Sequence, residues 1–538
     1  MTDKRVRILI DEHAYLDGLK QTYATEFQEV VDYVLPDRSN VTRWESPGQR
    51  RGIMRYDTTA VEAAELLAGN LAATLTPMGS RWMDVVPRQP ELRRKRAVAD
   101  WCQEVSELML ASMQTSNFYL AMDEVYLDLV GFATACPYTE TLGGKLHYMA
   151  WPVREYVFSV GMDSRPRRLF RSFKMTAQQM VDRFSNMPGF KEYGQSVKHI
   201  IDAAENVSAT DRNREFRILH VIGPRDFYRP GKPGAKNMPI ESCYINCDDQ
   251  VIIAEGGYEE MPANVVRWRV TADDAGWGRG PTQTAMPDVR SLNVCRKLMH
   301  KALAKDLDPP LVIDDRGVIG NVRTVPNGIT YIRPGARMEY LTSGQRIDIG
   351  QFGLERLTQQ VRAIYYADHL RLPPPQGTPM TATEMQIRWE MMERLLGPTL
   401  GRLQTELLNP IIERTFGLMM RAGQLPLPPD ELVDAELDIE YVGPLARAQQ
   451  MPEVAAIERT YQSVAGIAQL TGDTAGLRRL NVDEATKRLA ELYGFPAGAL
   501  RDDDEVAQMA QAEAQRMQAM QEREDAALAA DMASKVPA

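Results

Sequence analysis

Residues that carry chemistry are scarce in this sequence. Five cysteines (Cys102, Cys136, Cys243, Cys247 and Cys295) are few and odd in number over 538 residues, which argues against a disulfide framework and fits a reducing compartment. Six histidines stand singly, at His13, His147, His199, His220, His300 and His369, with no HExxH pair among them. No run reaches the roughly 18 to 20 apolar residues of a membrane span, because the most apolar stretch, Leu66 to Leu75, is broken by Gly69 and Asn70. The opening MTDKRVRILIDEH lacks the apolar run of a secretory signal, so a soluble intracellular product is expected. An excess of positive charge is missing too. With 63 Lys+Arg against 73 Asp+Glu the net charge is −10, which rules out the whole-molecule basic footprint of a sequence-reading DNA binder. Any contact with nucleic acid has to be local or weak.

What is present is ordinary soluble-protein material, 44% apolar, in a length that at roughly 150 residues per domain suggests three or four domains. Methionine, at 28 residues, is abundant, and its adaptable thioether suits large interfaces.

The patterns that could hold a reaction each fall short. Cys243-x-x-x-Cys247 has no second Cys/His pair to complete a zinc site and reads as two strand cysteines. Gly276-Trp-Gly-Arg-Gly280 lacks the GxxxxGK[ST] arrangement and reads as a turn leading into a helix. Gly143-Gly-Lys145 reads as a hairpin turn, Asp502-Asp-Asp504 as a solvated helix start, and no GxSxG occurs. The expectation is a protein without catalytic residues, metal or cofactor.

The chain is α+β and mainly helical. Leu16, Leu19, Tyr23, Phe27, Val30 and Val34 recur at steps of three and four, a helical face that Pro36 ends. A second helix starts at Asp57 and stops before Pro77; others start near Glu91 and cover Phe118 to Phe132. From 133 to 275 short β-branched and aromatic runs alternate with turns, interrupted by a helix from Thr176 that Gln179 completes as a capping box. Gly276 to Thr284 is expected to be loop, with Pro287 opening a helix whose uninterrupted part covers 288–306. About forty residues of strand and turn follow, then a helix over 350–370. Three consecutive prolines force an irregular loop after Arg371, and a long helix then runs to about Arg421, bent at Gly397-Pro398 and Asn409-Pro410.

Three segments together resemble the portal, or head-to-tail connector, proteins of short-tailed bacteriophages of the podovirus type. The first is Tyr56-Asp-Thr-Thr-Ala-Val-Glu-Ala-Ala-Glu-Leu-Leu-Ala-Gly-Asn-Leu71 followed by Leu75-Thr-Pro-Met-Gly-Ser-Arg-Trp82. The second is the helix, β insertion and returning helix of 287–370, and the third the Pro-rich loop feeding Thr381-Ala-Thr-Glu-Met-Gln-Ile-Arg388. The tail after 500 departs from the family.

The resemblance implies a portal fold assembling into a ring of about twelve subunits at one capsid vertex, whose channel passes double-stranded DNA in packaging and ejection. It places an N-terminal wing at 1–286, stem helices at 287–306 and 350–370, a clip at 307–349, and a tunnel loop at 371–380. A long wing helix occupies 381–425, wing and crown helices 426–500, and an acidic Ala/Gln/Met-rich tail 501–538. Implied partners are further copies of the chain, the major capsid and scaffolding proteins, the terminase large subunit and a tail adaptor, in the virion and, during assembly, the host cytoplasm. The tunnel loop is Arg371, Leu372, Pro373, Pro374, Pro375, Gln376, Gly377, Thr378, Pro379 and Met380, since irregular backbone between long helices projects from a packed body. A buried connector is the plain alternative. Arg290, Arg296, Lys297, Lys301 and Lys305 are the stem's channel candidates, against which stands a solvated face or ion pairing. Asp314, Asp315, Arg316 and Arg323 of the clip are candidates for docking the motor and then the tail through weak polar contacts. Another virion structural protein, an adaptor or internal core component, is the alternative; a cytosolic enzyme without a recognisable motif ranks below it.

Overall fold

The computed structural model describes residues 4–38, 40–43, 55–93, 95–185, 198–206, 208–232, 234–271, 276–314, 317–322, 329–340, 347–370, 396–432, 436–442, 444–471 and 479–493, with a few positions between 506 and 520. The chain divides into two compact units, residues 1–78 with 113–418 and residues 79–112 with 419–538, rather than three or four. Length overestimated the number because the long helices and the β insertion between them contribute little buried core of their own.

Helices α1 (Lys4–Tyr33) and α2 (Thr59–Leu75) open the chain, followed by strand β1 (Met83–Pro87) and helices α3 (Arg96–Thr115) and α4 (Phe118–Phe132). A β-rich stretch runs through β2 (Thr134–Ala135), β3 (Pro137–Leu142), β4 (Lys145–Ala150), β5 (Tyr156–Val160) and β6 (Pro166–Thr176). After helices α5 (Ala177–Phe184) and α6 (Lys198–Glu205) it resumes with β7 (Glu215–Pro224), β8 (Ile240–Asn246), β9 (Val251–Tyr258) and β10 (Val266–Arg267). Helix α7 (Pro281–Leu307) leads to four short strands, β11 (Leu311–Ile313), β12 (Val318–Ile319), β13 (Tyr331–Ile332) and β14 (Met338–Tyr340). Helices α8 (Ile347–Ile364), α9 (Ala367–Leu370) and α10 (Asn409–Arg421), strand β15 (Leu437–Tyr441), and helices α11 (Pro444–Thr471) and α12 (Val482–Tyr493) follow. Helix predominates, as the spacing of apolar residues predicts.

The first unit is organised by a five-stranded antiparallel sheet in the order β5-β6-β7-β8-β9. Alternating side chains face opposite ways. Leu219, Val221, Cys243 and Ile245 meet Val6 and Leu9 of α1, while Ile218, Tyr244 and Ile253 meet Met180, Phe184 and Ile200 of α5 and α6. The expected capping box starts α5: the Gln179 N–H donates to Thr176 Oγ1 at 3.3 Å and the Thr176 N–H to Gln179 Oε1 at 3.0 Å. Lys20 of α1 is buried with its partners. The Lys20 ammonium donates to the carbonyls of Arg154 (2.9 Å) and Tyr156 (3.0 Å). Burial pushes its pKa down to about 8, against the pull of Asp17 and Glu155.

In the second unit β1 and β15 form an antiparallel pair, Val85 opposite Ile439, and the Val85 N–H donates to Ser106 Oγ of α3 at 2.9 Å. Trp101 Nε1 donates to the Pro426 carbonyl at 3.1 Å. Arg488 of α12 pairs with Glu453 of α11 at 2.9 Å.

Several helix bounds differ from expectation. Helix α2 begins one residue later than a cap at Asp57 would place it, with Thr58 at the N-cap; the Asp57 carboxylate still accepts from the Thr59 N–H at 2.9 Å. Helix α7 begins at Pro281, inside the stretch expected to be loop, because Gly280 and Gln283 cap it and Pro281 occupies the first turn. Pro287 therefore lies within the helix. The returning helix stops at Ile364 instead of continuing to 370: Tyr366 adopts a left-handed φ of 57° before α9 begins. Pro410 does not merely bend its helix. It has no N–H for a bond four residues back, and the preceding Gln404–Leu408 stretch widens into a π-turn in which the Asn409 N–H donates to the Gln404 carbonyl.

Candidate functional site: the long helix pair and its β insertion

Helices α7 and α8 run antiparallel. Two contacts fix that sense. A Cβ on Gly350 would stand 2.8 Å from Met299 Cε, and Tyr365 Oη donates to Thr282 Oγ1 at 2.8 Å. The Thr282 hydroxyl passes its own hydrogen to the Val130 carbonyl at 2.7 Å, so the first turn of α7 and Tyr365, just past the end of α8, are tied to α4 through one buried chain. Burial raises the Tyr365 phenol far above its ordinary pKa, leaving it a permanent donor.

The segment Gly276–Gly280 is built for this junction and not for a phosphate. A Cβ on Gly278 would lie 2.0 Å from the Ala133 carbonyl oxygen, and Gly276 has a φ of +88°. Between them Trp277 packs on Phe158 (4.9 Å between centroids) and Phe27 (5.4 Å).

The five cations assigned to α7 separate into two kinds. Arg296 Nε donates to Asp57 Oδ2 at 2.9 Å, and Arg290 approaches Glu29 of α1 at 3.5 Å. The Lys297 ammonium lies over the Tyr56 ring, 5.6 Å from its centroid. Asn293 Oδ1 accepts from the Tyr56 N–H at 2.8 Å. The Tyr56-Asp57 dipeptide thus serves as a latch holding the chain before α2 against α7. Lys301 and Lys305 extend into solvent.

Between the helices, β11 pairs with β14 and β12 with β13, two separate antiparallel ribbons. Asp314 turns out to shape a turn: its carboxylate accepts from the Arg337 N–H at 3.0 Å and its carbonyl from the Gly317 N–H at 2.8 Å. Asp315, Arg316 and Arg323 lie outside the described residues, as do all of Arg371 to Met380 and Thr381 to Arg388. Among the described residues of the insertion, Val312, Ile319, Tyr331, Ile332 and Tyr340 are exposed, and so are Asp314, Arg333, Arg337 and Glu339.

Sequence inspection missed a cavity of about 250 Å³ lined by Glu140, Trp151, Arg171, Arg183, His220 and Tyr244 among others. No short motif announces it, because its walls come from β3, β4, β6, β7, β8 and α5. His220 Nε2 meets Ser242 Oγ at 2.9 Å, superficially a base beside a nucleophile. Burial holds the imidazole pKa well below its usual value, and Arg171 and Arg183 add to that, so the imidazolium a general base must form is disfavoured. Arg183 is matched by Glu140 at 2.8 Å and Arg171 by Glu155 at 2.9 Å. Among the described residues no group of three or more His, Cys, Asp or Glu could hold a metal ion. Cys243 is buried in the sheet against α1, with Cys247 packed beside that core. Among the described residues no helix is long and apolar enough to cross a membrane.

The described geometry centres on a long helix pair carrying a β insertion. The chain is 27% identical over 541 residues to the probable portal protein of Bordetella phage BPP-1, covering 98% of this chain and 95% of that one. It is 25% identical over 533 residues to the portal protein of Salmonella phage epsilon15, covering 97% and 93%. The family model described as bacteriophage head to tail connecting protein matches residues 8–500, and the chain belongs to that family.

Proposed function

We propose that the chain is the subunit of a phage portal, a closed ring of about twelve copies at one capsid vertex. Through its channel DNA enters during packaging, is retained, and leaves at ejection. The observation that carries this reading is the family match over 8–500, spanning the helix–insertion–helix unit as well as both compact units.

In this reading α7 and α8 are the stem, residues 307–349 the clip, 371–380 the tunnel loop, and the flanking regions the wing and crown. The clip meets the packaging terminase first and the tail adaptor later, while the wing meets capsid and scaffolding proteins. The role is structural: the chain conducts DNA without reading its sequence and without a catalytic step. Net acidity supports it, since a sliding channel gains nothing from tight phosphate contacts, each of which adds salt-sensitive affinity.

Light scattering with negative-stain imaging of the purified protein tests this directly. Twelve subunits of 60.6 kDa give a particle of about 730 kDa with a central hole. A monodisperse monomer or dimer, unchanged by concentration and salt, sinks the proposal.

A further inference from the structure

The chain is acidic as a whole, but one end of the five-stranded sheet is not. Strand register brings three features together there: the β5–β6 turn, where Val160 stands opposite Pro166; the β7–β8 loop, where Pro224 stands opposite Ile240; and the end of β9 at Tyr258. The first turn of α1 joins them, because Arg5 donates to Glu241 of β8 and to Glu255 of β9, both at 2.8 Å. Those two carboxylates are nearly buried, at 9% and 8% exposure, and each is shared. Arg168 approaches Glu241 at 3.5 Å, while Arg225 and Lys236 approach Glu255 at 3.7 Å. Glu12 gives Arg168 a further contact at 3.2 Å. The Nε atoms of Arg168 and Arg225 are buried without an acceptor among the described residues. Acceptors are the scarce partner in this cluster.

A second set of cations surrounds it. Lys4 and Arg7 flank Arg5 on α1, Arg165 ends the β5–β6 turn, and Arg229 and Lys232 lie in the β7–β8 loop; all five are exposed and none has an ion pair among the described residues. The exposed acids on these segments are Asp163, Asp226 and Glu259, and Asp163 already serves Arg167 at 3.9 Å. Between Arg225 and Arg229 the loop presents Phe227 at 91% exposure and Tyr228 at 44%.

Such a surplus fits a polyanion, and the preponderance of arginine, whose planar fork matches phosphate, favours a nucleic-acid backbone. The competing polyanion, an acidic polypeptide, gains most from an open strand edge. The β9 edge is closed at this end by the turn Ala235–Asn237: a Cβ on Gly257 would stand 2.2 Å from the Ala235 carbonyl oxygen. The free cations come instead from three separate segments along the sheet end. Five strands about 4.8 Å apart span about 19 Å, the length of about six base pairs of duplex at 3.4 Å each.

We infer that this end of the sheet binds the phosphate backbone of double-stranded DNA, outside the channel and on elements other than α7 and α8. The inference rests on the portal reading, which supplies the DNA, and adds a contact surface that is not part of the conduit. Contacts of this kind position a duplex and read no sequence.

A covalently closed plasmid separates the two sites, because a circle cannot thread a closed ring. Its binding to the full chain is followed from about 50 to about 200 mM salt. The triple variant Arg165→Gln, Arg229→Gln, Lys232→Gln should bind about tenfold or more weakly at the low-salt end, with a log–log slope shallower by about 0.9 for each cation removed. Phe227→Ala should weaken binding several-fold at unchanged slope, since an apolar contact releases no counterion. Lys145→Gln, at an exposed cation of the β3–β4 hairpin, should match wild type. Assembled wild type that ignores the circle, or a triple variant with the wild-type slope, overturns the inference and leaves the portal reading standing. A triple variant that loses binding to poly-glutamate while keeping its binding to the circle also overturns it, and assigns the patch to an acidic protein. Should the triple variant fail to fold, the three single variants decide by the same slope. A wild-type chain that never assembles overturns the portal reading, and the slopes of the unassembled chains then decide the patch on their own.

Discussion

The Glu406 carboxylate takes three hydrogen bonds from one residue, Arg267: from its backbone N–H at 3.2 Å, from Nε at 3.3 Å and from Nη2 at 2.8 Å. Arg267 is buried, and Glu406 reaches it from the π-turn that precedes Pro410. Removing one partner strands the other. Glu406→Gln is expected to cost about 3 kcal/mol in urea unfolding, because a buried guanidinium loses its counter-charge. Arg267→Met combined with Glu406→Met should be closer to wild type than either single change. Additive losses in that cycle would show that the pair is not coupled.

That pair also marks where sequence inspection stops. Helices α2 and α4 and the capping box of α5 were legible because their signals are local: a proline stop, apolar steps of three and four, Thr176 three residues before Gln179. Arg267 and Glu406 are 139 residues apart, and no spacing rule joins them. Strand β1 and its mate β15 are farther still, so β1 was invisible until its partner was placed. Pro287 misled by mimicking a helix start, while the actual signal, Gly280-Pro281 with Gln283, lay six residues earlier. Within the candidate site the cations of α7 could be named from sequence. Which of them were already engaged could not, since Asp57 and Glu29 come from elsewhere in the chain.

Asp128 makes stability depend on pH. Its carboxyl is buried, and burial pushes its pKa up to about 7, although Arg38 Nε stands 2.8 Å away and opposes the shift. The nearby Glu124 reinforces it. A folded pKa above the ordinary 3.8 means the folded chain holds the proton more tightly than the unfolded one. The contribution is complete below about pH 4 and is lost as pH rises through about 7, at about 1.4 kcal/mol for each unit of difference. Urea midpoints of wild type and Asp128→Asn, compared across that range, should show the wild type losing stability relative to the variant as pH increases. A constant difference would contradict the assignment.

Two glycines should respond oppositely to the same change. Gly278→Ala drives a methyl into the Ala133 carbonyl oxygen, a backbone atom that cannot swing aside, and is expected to cost more than about 2 kcal/mol. Gly69, exposed in α2 with nothing within 4 Å of an added Cβ, carries only the entropic penalty of a helical glycine. Gly69→Ala should therefore stabilise by about 0.5 to 1 kcal/mol. Thermal unfolding of the two variants side by side checks both signs. A neutral Gly278→Ala would mean that the Trp277 junction is looser than its geometry implies.

The lysines and arginines of α7 should part company in function as they do in contact. Arg296 is committed to Asp57 at 2.9 Å, so Arg296→Gln is expected to cost stability, about 1 to 3 kcal/mol, by freeing the latch at Tyr56. Lys301 and Lys305 are exposed, and Lys301→Gln or Lys305→Gln should leave stability within about 0.5 kcal/mol. If these two lysines face DNA in the assembled channel, each makes a phosphate contact that releases a counterion. Affinity of the assembled protein for a short blunt duplex, followed from about 50 to about 200 mM salt, then has a log–log slope that falls by about 1 for each lysine removed. The slope for Arg296→Gln should match wild type, because its guanidinium is already neutralised within the chain. Unchanged slopes in both lysine variants would place Lys301 and Lys305 away from DNA, leaving them as a solvated face of the helix or as partners for acidic groups of a neighbouring subunit.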